Sequence, residues 1–295
     1  MGIVFAVETE FAPLRHVVLG RGAGYHRNAA RIEIVNETHR KTLRDRGHPG
    51  EEQLVREFAP VRATLERAGV TVHIPGLAPD SVPDQTCPRD IGFVIGDTFV
   101  AAGMRNASRM DEIDGIAHTL AGCEGPRVAV PGGVALEGGD VIVDAPHVFV
   151  GAGQRSDPEG AAFLRAHFGA RYDIVPVPTK PLTEGEDVLH LDCGFQPLGL
   201  GHALIYPDGL AAIPQPMRDR YAWIEVTRAE AAALATNVLS LAPGHVIARD
   251  HPDCARVNDT LRKAGYRVEE LRFDAVPSTG GSFRCATLPL NRAPG

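Results

Sequence analysis

The strongest candidate for chemistry in this sequence is Cys285, in the segment STGGSFRCATLPL near the end of the chain. A thiolate is a strong nucleophile, and a cysteine becomes one where its surroundings favour the charged form. Arg284 stands next to it, and Gly280 and Gly281 allow the backbone to approach a ligand closely. The segment therefore predicts covalent catalysis by a thiol, with a small buried structural cysteine as the alternative.

His190 is the candidate acid/base partner of that thiol. It lies in a strand-like run between Leu189 and Leu191, a setting in which a histidine is often structural. Asp192 lies two positions further on and shares a face with His190, because side chains alternate along a strand. This pairing makes His190 a candidate for proton transfer.

Further carboxylates stand where predicted strands begin or end. Asp90 lies in CPRDIGF, and Glu137 and Asp140 lie in ALEGGDVIV. Asp140 is more typical of a turn, whereas Asp90 and Glu137 each introduce an apolar hairpin. Together with the thiol, the histidine and its neighbouring carboxylate, they would form a negative pocket that holds one nucleophile. Such a pocket suits a planar cation that paired carboxylates bind and a thiolate attacks.

The remaining cysteines are Cys87, Cys123, Cys193 and Cys254, so the total is odd and no Cys-x-x-Cys pair occurs. This pattern argues against a disulfide framework and against a zinc site. We interpret Cys123 and Cys254 as small buried hydrophobic residues.

The composition is that of an ordinary globular protein, with 295 residues, 44% hydrophobic residues and a formal net charge of -7. Acidic and basic residues are interspersed, and no basic stripe could neutralise successive phosphates, so nucleic acid is not predicted as a partner. The first residues do not have a signal-peptide pattern, and no stretch reaches the roughly 18 apolar residues of a membrane helix. These features predict a cytoplasmic protein without a membrane partner.

The elements that must position the candidate residues form a recurring pattern. Apolar hairpins are predicted at 91–103, 140–153, 188–207 and 237–250. Each is followed by helical periodicity and a short β-rich run, although one cycle is weaker and has only TRAEAAALA (227–235). A fifth unit can be assembled from both ends of the chain: the strand 16–21, the amphipathic segment 51–69, the short β-rich run 71–75 and the terminal segment 282–290. Five ββαβ units closed by the termini predict an α/β fold, namely a five-bladed α/β propeller in a single domain, 1–295.

Residues 22–50 differ from these units. They are polar, flanked by glycine and largely without periodicity. Such a segment predicts a long surface excursion, either a lid over an active site or a mobile loop that contacts another copy in a homo-oligomer.

As a set, CPRD, LEGGD, HLD and GGSFRCATLPL resemble the guanidine-modifying superfamily, in their order and in the hairpins that follow the first three. This superfamily has the five-bladed pentein fold. It contains arginine deiminases, agmatine deiminases, dimethylarginine dimethylaminohydrolases and amidinotransferases. The resemblance spans roughly residues 85 to 290.

The resemblance implies a role for each residue of the pocket. Cys285 would attack the guanidinium carbon, and His190 would protonate the leaving amine and then activate the incoming nucleophile. Glu137 would support the charged substrate and the histidine, while Asp90 and Asp192 would hydrogen-bond the guanidinium nitrogens. The intermediate would be a covalent S-alkylthiouronium. The implied partner is a small-molecule guanidine, and no metal or organic cofactor is implied.

Two carboxylates bear on the choice within the superfamily. Dimethylarginine hydrolases typically have a basic residue just after their catalytic histidine, whereas Asp192 matches an unsubstituted guanidinium with its full set of donors. Glu137 resembles the deiminases, because glycine amidinotransferases of the eukaryotic type have Asp there. The sequence thus favours C–N hydrolysis in arginine or an arginine-like compound. Amidino transfer to an amine and dimethylarginine hydrolysis remain as alternatives, and a non-catalytic pentein is disfavoured by the reactive pocket residues.

The rest of the substrate is less well determined. Arg105, Arg109 and Arg155 are candidates for binding a carboxylate, since arginine deiminases use arginines in comparable segments. However, the STGG loop lacks the additional arginine that arginine deiminases have before their nucleophile, and the chain lacks room for their inserted helical domain.

Overall fold

The computed structural model describes residues 2–25, 37–180, 186 and 188–293. Its strands are β1 (Ile3–Val4), β2 (Leu14–Leu19), β3 (Thr71–His73), β4 (Gly92–Ile95), β5 (Thr98–Ala101), β6 (Cys123–Glu124), β7 (Arg127–Ala129), β8 (Val141–Asp144), β9 (His147–Ala152), β10 (Asp173–Pro178), β11 (Phe195–Gly199), β12 (His202–Ile205), β13 (Ala222–Glu225), β14 (Leu239–Ala242), β15 (His245–Arg249), β16 (Arg267–Leu271) and β17 (Thr287–Arg292). Its α-helices are α1 (Glu37–Arg46), α2 (Glu51–Arg67), α3 (Ala117–Ala121), α4 (Pro158–Phe168), α5 (Gln215–Arg220), α6 (Arg228–Ala232) and α7 (Ala255–Lys263).

Within the described ranges, five three-stranded sheets share one plan. In each, the first strand pairs antiparallel with the second, and the second pairs parallel with the third. The sheets are β4-β5-β7, β8-β9-β10, β11-β12-β13, β14-β15-β16 and β17-β2-β3. The last of them joins the two ends of the chain, as the sequence predicted. A further short parallel pair joins β1 to β6. The predicted mixed α/β class is confirmed.

Local sequence explains the hairpins. Gly96 and Gly244 have φ values of 58° and 76° in the turns that connect β4 to β5 and β14 to β15. Glycine adopts this left-handed conformation without the steric cost that a Cβ imposes. The first strands β4, β8 and β11 are buried along their whole length, as is typical of strands that are covered on both faces.

Helix α2 covers the sheet formed by the chain ends. Its buried Phe58, Val61 and Leu65 recur at three-to-four spacing, which is the pattern of an amphipathic helix. They share an apolar core with Val17 and Leu19 of β2. This packing holds β2, and hence its partner β17, beside the segment that contains the candidate nucleophile.

Three details differ from the sequence-based expectations. Part of the segment 22–50 forms helix α1, which could not be predicted from periodicity because its sequence has almost no apolar residues. Residues 26–36 lie outside the described residues, so the expectation of a lid is not tested there. The helix of the third unit is the six-residue α5, too short to show a repeat. After the first hairpin, the chain forms a 3-10 helix before α3.

None of the described helices is both long and apolar enough to span a membrane.

Candidate active site

The repeated topology brings the candidate residues to equivalent positions. Each of the five three-stranded sheets begins shortly after a polar residue that faces the same region. Asp90 precedes β4, Glu137 precedes β8, His190 precedes β11, Asn237 precedes β14 and Cys285 precedes β17. Side chains that are distant in sequence thereby meet in one cluster. The cluster lies at one partly enclosed cavity of about 50 Å³.

The cavity wall contains most of the residues that the sequence singled out. Cys285, His190, Asp90, Arg109 and Arg155 all line it. The structure therefore brings the predicted nucleophile, the predicted acid/base and one predicted carboxylate into contact with the same small space.

His190 is held between two carboxylates. Its Nε2 lies 2.8 Å from Oε2 of Glu137, and its Nδ1 lies 3.7 Å from Oδ1 of Asp90. Burial opposes the charged imidazole, but Asp90, Glu137 and Asp140 outweigh it and raise the pKa of His190 to about 10. The ring is therefore an imidazolium at neutral pH, ready to donate a proton.

Glu137 is fully occupied by protein donors. Oε1 accepts hydrogen bonds from the backbone N–H of Arg105 at 2.9 Å and from Nη1 of Arg155 at 3.2 Å, while Oε2 faces the histidine. Burial favours the neutral acid, but His190, Arg155 and Arg109 lower the pKa of Glu137 to about 2. This carboxylate is thus a permanent anion that orients the imidazole.

Arg109 orients Asp90. Its Nη1 donates to Oδ2 of Asp90 at 2.7 Å, its Nε donates to Glu112 at 2.8 Å, and its Nη2 donates to the backbone carbonyl of Cys87 at 2.9 Å. Burial works against its charge, but Glu112 and Asp90 keep the pKa of Arg109 above its ordinary value. Oδ2 of Asp90 is thereby hydrogen-bonded within the protein, whereas Oδ1 has no hydrogen-bond partner among the described residues.

Three buried polar atoms at the cavity have no hydrogen-bond partner among the described residues. They are Oδ1 of Asp90, Nδ1 of His190 and Nη2 of Arg155. A buried polar atom without a partner costs free energy, so native proteins rarely leave one unless a ligand or water completes it. Oδ1 of Asp90 can accept a hydrogen bond from a cation, Nδ1 of His190 can donate a proton, and Nη2 of Arg155 can donate a hydrogen bond to an oxygen atom.

Asn237 holds Cys285, the predicted nucleophile, in place, although the sequence did not indicate this contact. Its Nδ2 donates to Sγ of Cys285 at 3.2 Å, and its Oδ1 accepts the backbone N–H groups of Ser282 and Cys285 at 3.2 and 3.1 Å. The signal was present in the repeat, because Asn237 opens the fourth hairpin as Asp90 and Glu137 open theirs.

We expect Asn237→Asp to lower the rate of Cys285 alkylation by iodoacetamide at neutral pH about ten- to hundred-fold. The change replaces a donor to sulfur with a carboxylate, and a hydrogen bond to a charged group contributes about 1.5–3 kcal/mol. Asn291→Asp is the matched control, since the Asn291 side chain donates only to the backbone of Val4, away from the cavity. Equal alkylation rates in both variants would contradict this role.

Asp192 lies behind the nucleophile and not on the cavity wall. Its carboxylate oxygens are 3.9 and 3.7 Å from Sγ of Cys285. Oδ2 accepts a hydrogen bond from Nη1 of Arg284 at 2.7 Å. Among the described residues, Oδ1 has only the thiols of Cys193 and Cys285 as partners.

Arg284 is a buried anchor beneath the site. It also donates to both oxygens of Glu10, at 3.2 and 3.0 Å, and to the carbonyl of Val141 at 2.9 Å. Burial raises the pKa of Glu10, but Arg284 and Arg89 outweigh it and lower the value to about 2. The network ties the two chain ends to the turn that contains Asp192.

We expect Arg284→Met to lower the free energy of unfolding by about 3–5 kcal/mol, because it leaves Glu10 and Asp192 buried without their counter-charge. Urea denaturation measures the change. Arg272→Met is the control, since Arg272 pairs with Asp274 at the surface and its side chain is 82% exposed. The control should change stability little, and an equal loss in both variants would contradict the structural role of Arg284.

Two of the other predicted residues lie elsewhere. The guanidinium of Arg105 pairs with Asp157 at the surface and does not line the cavity; only the backbone N–H of Arg105 reaches the site. Asp140 acts within the turn, as its sequence context indicated: Oδ1 accepts the N–H of Leu191 and Oδ2 accepts the hydroxyl of Ser156. Asp84 also lines the cavity, although nothing in its sequence context had indicated a role.

Asp90, Glu137 and His190 could also hold a metal ion. One ligand atom from each lies within 4.8 Å of the others. The same atoms already form the carboxylate–imidazolium arrangement, so a metal would have to displace the proton of His190. The prediction that no cofactor is required stays a prediction.

Comparisons with known proteins agree with this fold. The solved structure of SxtG, an amidinotransferase from Microseira wollei, is similar to this chain, with a TM-score of 0.79 and 18% sequence identity. The match covers 99% of this chain and 98% of SxtG. The N-terminal domain of ArgZ, an arginine dihydrolase from cyanobacteria, is also similar, with a TM-score of 0.80 and 20% sequence identity. That match covers 94% of this chain and 97% of the ArgZ domain. At these identities, the likeness shows the fold alone.

Proteins with similar sequences indicate which class of enzyme this chain belongs to. Protein YkgA of Bacillus subtilis, which is itself uncharacterised, is 36% identical over 214 residues, 72% of each chain. An arginine deiminase of Listeria innocua is 26% identical over 194 residues, and the match covers 47% of that enzyme. The fold and the relatives define a guanidine-modifying enzyme of the pentein superfamily. Residues 27–292 match the model for eukaryotic N,N dimethylarginine dimethylhydrolases, and the chain belongs to that family.

Proposed function

We propose that this protein hydrolyses a C–N bond of arginine or an arginine-like guanidine, with Cys285 as the nucleophile. The observation that carries the proposal is the pair of unpartnered buried atoms, Oδ1 of Asp90 and Nδ1 of His190, 3.7 Å apart at the cavity that Cys285 lines. A guanidinium can donate to the carboxylate while a leaving amine accepts from the imidazolium. The thiol of Cys285 lines the same cavity, so a nucleophile, an anion and an acid meet at one place.

The first half-reaction follows from these contacts. Asp90 binds a guanidinium nitrogen through Oδ1, while Asp192 adds a buried negative charge behind Sγ of Cys285. The Cys285 thiolate attacks the central carbon, His190 protonates the leaving nitrogen, and the C–N bond breaks. The product is an S-alkylthiouronium on Cys285.

The second half-reaction reverses the role of His190. The now neutral imidazole takes a proton from water, which attacks the thiouronium carbon. The C–S bond then breaks, the thiolate is restored, and the ureido product leaves after its new hydroxyl group loses the second proton of the water to solvent. Glu137 stays ionised throughout and stabilises the charged form of the imidazole.

The remainder of the substrate is proposed to be an amino acid head group. Nη2 of Arg155 is buried and unpartnered at the cavity, so it suits a carboxylate oxygen. Asp84 lines the same cavity and supplies a negative charge for an ammonium group. The side chain of Arg105 has no part in this proposal.

Hydrolysis is preferred to amidino transfer because Glu137 resembles the deiminases, whereas glycine amidinotransferases of the eukaryotic type have Asp there. Dimethylarginine is a second candidate substrate, favoured by the family match over residues 27–292. An acid at Asp192, where dimethylarginine hydrolases typically have a basic residue, favours an unsubstituted guanidinium.

The common plan of the five sheets supports a five-bladed α/β propeller within a single domain. The five free cysteines are compatible with a reducing compartment such as the cytoplasm. Both statements are part of the proposal.

The test is incubation of the protein with arginine and with dimethylarginine, each with and without glycine, lysine or ornithine, followed by mass spectrometry. Citrulline and ammonia from arginine support the proposal. Citrulline and dimethylamine from dimethylarginine alone would select the second candidate. Ornithine and a new guanidino compound that appear only with an acceptor amine would overturn hydrolysis.

A further inference from the structure

A second thiol lies at the active-site cavity. Cys87 lines the same cavity as Cys285. The structure describes all five cysteines, and Cys87 is the one that is not fully buried. The chemistry proposed above uses its backbone carbonyl, which accepts from Arg109, but not its sulfur. Its thiol is therefore an accessible group without an assigned role.

Gly281 leaves the space between the two cysteines open. A Cβ at this position would lie 2.7 Å from Sγ of Cys87 and 3.1 Å from Cβ of Cys285. Any other side chain would press against both cysteines. A backbone hydrogen bond of 3.1 Å from the N–H of Arg89 to the carbonyl of Cys285 fixes the two segments beside each other. The two cysteines thus face a common gap at Gly281, with no side chain between them.

Cys193 is the competing partner, because its thiol is also near Asp192 and Cys285. Its sulfur lies 3.6 Å from Oδ1 of Asp192, and it is buried in the 3-10 turn Leu191–Cys193 before β11. A hydrogen bond with Cys285, together with burial, raises the pKa of the Cys193 thiol. It does not line the cavity. An oxidant that enters through the cavity reaches Cys285 and Cys87, whereas Cys193 remains behind the nucleophile.

We propose that Cys87 is a resolving cysteine: when a peroxide oxidises Cys285, the two residues form a disulfide that blocks the active site reversibly. The modification protects the nucleophile from further oxidation to sulfinic acid, which thiol reductants do not reverse. It requires a reactive Cys285 thiolate and an oxidant of the peroxide class, but not guanidine hydrolysis.

The chemistry balances in two steps. The Cys285 thiolate attacks one oxygen of hydrogen peroxide, the O–O bond breaks, and the hydroxide that leaves takes a proton from the His190 imidazolium to form water. The Cys87 sulfur then attacks the sulfenic sulfur, the S–O bond breaks, and the departing hydroxide takes the Cys87 proton as a second water. Two thiols lose two electrons, and one peroxide gains them.

The surroundings assign the two roles. Burial, together with Cys285, Asp90 and Asp84, raises the pKa of the Cys87 thiol well above its ordinary value. Cys87 therefore stays protonated at neutral pH, and thiolate chemistry with peroxide begins at the other sulfur. The donor from Asn237 to Sγ of Cys285 favours that order.

The experiment treats the reduced full-length protein with hydrogen peroxide and compares it with Cys87→Ala, Cys193→Ala and Cys123→Ala. Intact mass and non-reducing peptide mapping identify the product, and iodoacetamide labelling measures free Cys285 before and after a thiol reductant. The wild type, Cys193→Ala and Cys123→Ala should lose two hydrogens, contain a Cys87–Cys285 cross-linked peptide and regain Cys285 labelling. Cys87→Ala should gain two oxygens at Cys285 and lose its labelling permanently.

A Cys193–Cys285 cross-link, or full recovery of labelling in Cys87→Ala, would overturn the proposal. So would direct formation of sulfinic acid in the wild type. These readouts do not depend on turnover. A protein that forms the cross-link but processes no guanidine contradicts only the proposed function, and one that hydrolyses arginine but forms no cross-link contradicts only the resolving role.

Discussion

Cys285→Ala should abolish turnover of the guanidine substrate, with a loss of at least about 10⁴-fold, because it removes the proposed nucleophile and the raised pKa of Cys87 keeps the second thiol at the cavity protonated. Asn237 and Asp192 surround the sulfur, and neither supplies a nucleophile in its place. Substrate binding should persist, since Asp90 and Arg155 do not depend on the thiol. The variant should still be stabilised against thermal unfolding by arginine.

Cys123→Ala is the matched control for this result. Cys123 is buried and donates to the carbonyl of Thr119, away from the cavity. It should retain wild-type turnover. A haloacetamidine probe should add mass to the wild type and to the control, but not to Cys285→Ala. Turnover that survives in Cys285→Ala would exclude covalent catalysis by this thiol.

His190→Gln should lower kcat by about 10²–10⁴-fold, the usual contribution of a positioned acid/base. The glutamine amide can still reach Glu137, so the site keeps its packing, but it has no acidic proton to give the leaving amine. His147→Gln is the control, since His147 pairs with Asp173 at the surface. Steady-state kinetics should show the loss mainly in kcat. A variant that changes only KM would indicate a binding role.

The same histidine predicts a pH dependence with a definite sign. Its pKa is raised to about 10, so the imidazolium that protonates the leaving group is lost as pH rises through about 10, and activity should fall there. Because the folded-state pKa lies above the ordinary value of 6.5, stability from this charge is complete below about pH 6.5 and disappears as pH rises through about 10. Urea unfolding of the wild type and His190→Gln at both ends of that range measures the difference.

Much of the site could be predicted from the sequence because the repeat is visible in it. Asp90, Glu137 and His190 each precede an apolar hairpin, and the same residues precede β4, β8 and β11 in the structure. Asn237 was missed although it stands at the equivalent place before β14. An amide before a hairpin suggests a turn, and its contact with Sγ of Cys285 depends on a residue 48 positions away.

Asp192 was singled out from the sequence, but its position in the structure differs from the one predicted. Its place two residues after His190 suggested a shared face, but a 3-10 turn over Leu191–Cys193 replaces the regular strand there. Asp192 consequently turns away from the cavity wall towards Arg284, and sequence spacing alone could not reveal this pairing. Arg105 likewise has a plausible position in sequence, but Asp157 draws its side chain to the surface.

The sequence by itself determined the mixed α/β class, the hairpins and the types of residue that can do chemistry, because these follow from local apolar periodicity, turn residues and functional groups. Only the tertiary structure decided which oxygen of Asp90 is left without a partner, which ring nitrogen of His190 faces the cavity, and that Cys87 lies across a glycine gap from Cys285. Those features depend on contacts between segments that are far apart in the chain, and their distances are set by packing rather than by local preference.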